Sequence, residues 1–97
     1  MKLVILVFNQ ALEDEVLDVF EKLKIRGYTK LNDVYGQGSN NGEPHMGTHV
    51  WPEINTLILT VVEDEKVENL LNEVKILDRR FEDEGMHAFV LNVEKMI

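Results

Sequence analysis

Leu3-Val4-Ile5-Leu6-Val7-Phe8 is an unbroken apolar run, rich in β-branched residues, and its reading decides the fold. Such a run suits a central strand with both faces covered, or with one face covered by its own chain and the other by an oligomer interface. It is far shorter than the roughly 20 residues that a bilayer-spanning helix needs, and no small-residue cleavage site follows it. Neither direct membrane insertion nor a signal peptide is therefore expected. Asn9 is placed to cap a helix whose apolar residues Leu12, Val16, Val19, Phe20 and Leu23 recur every three or four positions. Arg26 and Gly27 supply the expected stop.

Tyr28 to Tyr35 alternates loosely, which suits a less buried strand, and Gly36-Gln37-Gly38-Ser39-Asn40-Asn41-Gly42-Glu43-Pro44 is dense in turn formers. This is the one long irregular segment, and such loops in small domains tend to carry function. Ile54 to Val62 reads as a second strongly apolar strand, with Glu63 and Asp64 at a helix start. Val67, Leu70, Leu71, Val74 and Leu77 form a helical stripe that ends at Arg79 and Arg80, where basic residues complement the dipole. Gly85 breaks the chain before a last strand, Ala88 to Val93. The order βαββαβ predicts an α+β, ferredoxin-like fold, with two helices on one face of an antiparallel sheet. Strands this apolar call for a neighbour over the remaining face, so an oligomer is expected.

The chain of 97 residues is the size of one domain, read here as 1–97, and 44% hydrophobic with 29% charged residues is a globular composition. Eighteen acidic against 10 basic residues give a formal charge of -8, which repels nucleic acid. With no cysteine, disulfides, thiolate ligands and cysteine nucleophiles are excluded, and a cytoplasmic address fits. The acidic runs Glu13 to Glu15 and Glu82 to Glu84 read as solvated faces that aid solubility.

Thr29-Lys30-Leu31-Asn32-Asp33-Val34-Tyr35-Gly36-Gln37-Gly38 resembles the second strand of the PII signal-transduction proteins running into their Gly-x-Gly loop, and Gly42 matches as well. Leu57 to Val62 followed by Glu63-Asp64-Glu65-Lys66-Val67 is similar to that family's third strand and second helix start. Gly85-Met86-His87-Ala88-Phe89-Val90 looks like its fourth strand. The resemblance spans nearly the whole chain. It implies a homotrimer, a regulatory and non-enzymatic role, and a ligand cleft between subunits close to the glycine loop. The ligand site would include Gly36, Gln37, Gly38, Ser39, Asn40, Gly42 and His87, with an adenine nucleotide as one candidate ligand. The loop from Gly36 to Trp51 would touch a partner protein. Where PII proteins continue the glycine loop with an arginine, a glutamine and a lysine, this chain has Ser39, Asn40 and Asn41. The lysine that opens the family's fourth strand aligns with His87. The loop's cations are therefore absent, and any phosphate would rest on backbone N–H groups.

The glycines themselves make neither a dinucleotide fingerprint nor a P-loop: Gly42 stands four residues after Gly38, and no Gly-Lys-Ser/Thr follows. Taken alone they serve turns that need positive φ. His45 and His49, with His87, form an alternative site for a divalent metal, for which imidazole would suit copper, zinc or nickel. In an extended strand, four residues span roughly 13 Å, too far for one ion, so a turn at Gly47 or symmetry between subunits would have to bring the imidazoles together. Ser39 and the histidines are the only candidates for a nucleophile and base, and their spacing matches no catalytic elbow. No enzyme is expected.

Overall fold

The computed structural model describes residues 1–36, 53–81 and 85–97. β1 (Lys2–Asn9) leads through a 3-10 turn (Gln10–Leu12) into α1 (Glu13–Lys22). β2 (Thr29–Gly36), β3 (Glu53–Val62), α2 (Asp64–Arg80) and β4 (Met86–Asn92) follow. The strands form one sheet in the order β2-β3-β1-β4, with every neighbouring pair antiparallel. This is the ferredoxin-like βαββαβ arrangement, and the apolar run around Leu6 is its central strand.

Side chains alternate across each strand, so the apolar residues of β1 divide between the two faces of the sheet. Val4, Leu6 and Phe8 point toward the helices and are buried. Ile58 and Val62 of β3 join them, with Met86 of β4. The helices close this layer with Val16 and Phe20 from α1 and Leu70, Val74 and Leu77 from α2. Leu3, Ile5 and Val7 lie on the other face. Their partners there are Val61, Leu59 and Leu57 on β3, and Leu91, Phe89 and His87 on β4. No element of the described chain covers this second face.

The start of α2 is as the sequence suggests, but α1 begins only at Glu13, after a 3-10 turn that takes the expected cap, and its end differs too. Asn9 accepts a hydrogen bond from Ala11 N–H at 2.9 Å and so caps the 3-10 turn that precedes α1. The stop expected at Arg26 and Gly27 comes earlier. Lys24 takes a left-handed backbone at φ 60, its N–H donates to Glu21, and Ile25 N–H donates to Phe20. Those two bonds satisfy the last carbonyls of α1 in the Schellman pattern, with buried Ile25 as its apolar anchor. Gly27 instead lends its carbonyl to Thr60 Oγ1 at 2.6 Å, tying the turn to β3. At the other end of the chain, β4 opens at Met86, two residues earlier than its apolar run indicates. The Met1 amino group hydrogen-bonds Asp64 at 2.9 Å and holds that exposed carboxyl below its ordinary range.

Candidate functional site

Strand directions bring one set of residues to one end of the sheet. β1 finishes there at Asn9, β2 at Gly36, and β3 and β4 begin there. The register pairs Asn9 with Asn55, Gly36 with Glu53 and Phe8 with Met86. Both ends of the segment between β2 and β3 are therefore rooted at the same place as the start of β4.

A β-bulge sets which side chains face which way at this end. Leu31 pairs with Leu57, but Val34 pairs with Asn55, so β2 carries one residue more than β3 between those rungs. Asp33 absorbs it at φ 57, a left-handed conformation that Asp tolerates better than most residues. The extra residue turns Tyr35, exposed by 67%, toward the helix side and places Gly36 on the open face. Gly36 there backs onto Asn55: a Cβ at Gly36 would meet Asn55 Nδ2 at 2.8 Å, closer than real Cβ contacts come. Asn55 is buried although no helix lies over this face. A buried amide against a glycine at the loop root is thus a built feature. The sequence offers only a faint signal for it, one asparagine inside an otherwise apolar strand.

On the helix side of the same end, Glu13 accepts from Lys30 Nζ at 3.0 Å and from Thr56 Oγ1 at 3.2 Å, joining α1, β2 and β3. The run Glu13 to Glu15 is therefore not wholly a solvated face, since Glu13 turns inward. Beside it a hollow of about 410 Å³ lies between the start of α1 and the bulge, lined by Gln10, Ala11, Glu13, Asp14, Asn32 and Asp33. Three of those residues are carboxylates and Lys30 is already engaged, so this hollow repels an anion.

His87 sits on the open face opposite Val7, exposed, with its ring stacked on Phe89 at 6.5 Å between centroids. Gly36 and His87 share one end of the sheet but occupy its two outer strands. Three strand spacings separate them, roughly 14 Å. One chain alone does not bring them onto one small ligand. Gln37, Gly38, Ser39, Asn40, Gly42, His45 and His49 lie outside the described residues. Among the described residues no group of three His, Cys, Asp or Glu side chains could hold a metal ion, and no helix is long and apolar enough to cross a membrane.

The sequence over residues 1–97 matches the family described as nitrogen regulatory protein P-II. The chain belongs to that family. No curated protein matches it. Among solved structures it is similar to CPII of Thiomonas intermedia K12, a nitrogen regulatory PII-like protein bound to ADP, AMP and bicarbonate. The TM-score is 0.71 at 21% identity over 99% of this chain and 94% of that one. The same protein bound to ADP, AMP and acetate gives 0.71 at 24% identity, over 92% and 81% of the two chains. A putative PII-like signaling protein of Thermus thermophilus gives 0.65 at 26% identity, over 95% and 85%. The PII fold expected from the glycine loop and its flanks is therefore present in the described residues.

Proposed function

We propose that this chain is a cytoplasmic, non-enzymatic PII-like regulator that assembles as a homotrimer through the open face of its sheet. It binds a small anionic ligand, an adenine nucleotide foremost, between subunits. The observation that carries this reading is the placement of Gly36 and His87 on opposite edge strands at one end of an uncovered apolar sheet. Neighbouring subunits that meet through that face set the β2 edge of one beside the β4 edge of the next. Gly36 and the loop that begins with Gln37, Gly38, Ser39, Asn40 and Gly42 then form one wall of the cleft, and His87 the other.

The ADP and AMP bound to CPII support a nucleotide as the ligand class. The loop from Gly36 to Trp51 carries the signal: a ligand that contacts one loop arrangement better than another shifts its population and so changes what a partner protein meets.

Isothermal titration of the purified chain with ADP, AMP and bicarbonate tests the reading. ADP binding with a defined stoichiometry per subunit is expected, together with a rise in melting temperature. Ligand at about 100 times its Kd stabilises the folded state by about 2.7 kcal/mol. Absence of both heat and thermal shift with all three compounds would overturn it.

A further inference from the structure

The helix side of the sheet is covered except at one rung. Thr56 of β3, whose hydroxyl Glu13 holds at the start of α1, has no exposed surface, and Ile58 beyond it is fully buried. One rung nearer the loop root, Tyr35 of β2 and Ile54 of β3 stand directly opposite each other and are 67% and 36% exposed. They point away from the open face, so a subunit packed on that face does not cover them.

This rung adjoins the hollow of about 410 Å³ between the start of α1 and the bulge. Of the three carboxylates that line the hollow, Glu13 is held by Lys30, whereas Asp14 and Asp33 are exposed. All 10 lysines and arginines of the chain lie among the described residues, and none of them pairs with Asp14 or Asp33. A lysine or arginine that balances these two carboxylates is therefore supplied from outside the chain.

We propose that Tyr35, Ile54 and the adjoining hollow form a docking surface for a partner protein whose contact segment sets a lysine or arginine beside an apolar side chain. The apolar side chain covers Tyr35 and Ile54, and the cation enters the hollow against Asp14 and Asp33. Successive rungs on one face of a strand lie roughly 7 Å apart, a span that neighbouring side chains of one short segment bridge. Charge selects this occupant over two others. Carboxylates beside the apolar pair repel an anionic bilayer, and a second copy docked through the same patch would set like charges against each other. The inference rests on the reading that the loop meets a partner protein, because both roots of that loop flank this rung: Gly36 follows Tyr35, and Ile54 follows Glu53.

Amide NMR spectra of the full chain, titrated at low salt with a short blocked peptide that places a leucine between two lysines, test the proposal. Shifts are expected at Asp14, Asn32, Asp33, Tyr35 and Ile54, and none with glutamates in place of the lysines. Tyr35→Ser is expected to weaken peptide binding about tenfold, as loss of an aromatic anchor does. Asp33→Asn keeps a residue that tolerates the left-handed backbone and is expected to weaken binding about threefold. That second difference is expected to vanish at about 1 M salt, where charges are screened beyond about 3 Å. Both side chains are exposed, and circular dichroism checks that the variants are folded. Absence of shifts, shifts confined to other residues, or equal binding of the glutamate peptide overturns the docking surface. So does a changed sedimentation mass in Tyr35→Ser, which assigns the rung to a neighbouring subunit. Co-sedimentation with phosphatidylserine vesicles that Tyr35→Ser abolishes assigns it to a membrane and overturns it as well. Heat with ADP but no peptide shifts removes this surface and leaves the nucleotide reading standing, and peptide shifts without ADP heat do the reverse.

Discussion

The two faces of this sheet are built from the same strands with similar residues, yet they end in different states. On the helix side Val4, Leu6 and Ile58 have no exposed surface at all. On the other side Phe89 keeps 54% of its surface, Leu91 47% and Leu31 45%. At roughly 25 cal/mol per Å² of apolar surface, leaving such a face in water forfeits a stabilisation of the same kind that holds the first face together. The comparison separates two tasks within one strand. Even-numbered residues of β1 fold the chain, and odd-numbered residues are left for a neighbour.

The sharpest way to break the comparison is to damage the covered face. Phe20→Ala removes a buried ring that Tyr28 meets edge-on at 5.5 Å, and the expected loss is about 3–5 kcal/mol of folding stability by urea titration. A total stability of about 5–15 kcal/mol makes that loss large. Phe89→Asp attacks the open face instead. Light scattering after size exclusion is expected to show the assembly reduced to single chains, while far-UV circular dichroism stays native because the ring is 54% exposed and the aromatic ring stacked on it is that of His87, itself exposed. Loss of helical signal in Phe89→Asp would mean that the open face also holds the monomer together.

Gly36→Ala sharpens the picture at the loop root. Its Cβ would sit 2.8 Å from Asn55 Nδ2, so a cost of about 1–3 kcal/mol is expected, with weakened ADP binding. Removing the obstructing amide in the double variant Gly36→Ala, Asn55→Ala should restore part of it, and a strictly additive pair would argue against that contact. The smallest effect is expected at Lys24→Gly. Lys24 holds a left-handed backbone that glycine adopts freely, so a gain of about 1 kcal/mol in thermal or urea unfolding is expected, reduced by the unfolded state's greater freedom.

Much of this architecture is legible in the residues, and the reasons for the remainder are specific. The apolar run from Leu3 to Phe8 and the stripe from Val67 to Leu77 prescribe a central strand and a helix, because alternation and 3.6-residue periodicity are local properties. Which face of β1 stays open is not local, since it depends on where α1 and α2 land. The end of α1 departs from the expected stop because glycine is the usual left-handed residue, and here Lys24 takes that conformation with Ile25 buried beneath it. The bulge at Asp33 leaves no mark on periodicity in so loosely alternating a strand, yet it alone decides that Gly36 faces Asn55. Gly36 and His87 stand out in the sequence as candidate site residues, but their positions on opposite edge strands follow only from the sheet order. The remaining loop residues of the candidate site lie outside the described chain.

Sedimentation equilibrium of the wild-type protein at neutral pH tests the central claim most directly. The account predicts a mass three times the 11.2 kDa of one chain. A single species at the monomer mass across the accessible concentration range would contradict it, because the open apolar face would then have no subunit to cover it and no intersubunit cleft would exist.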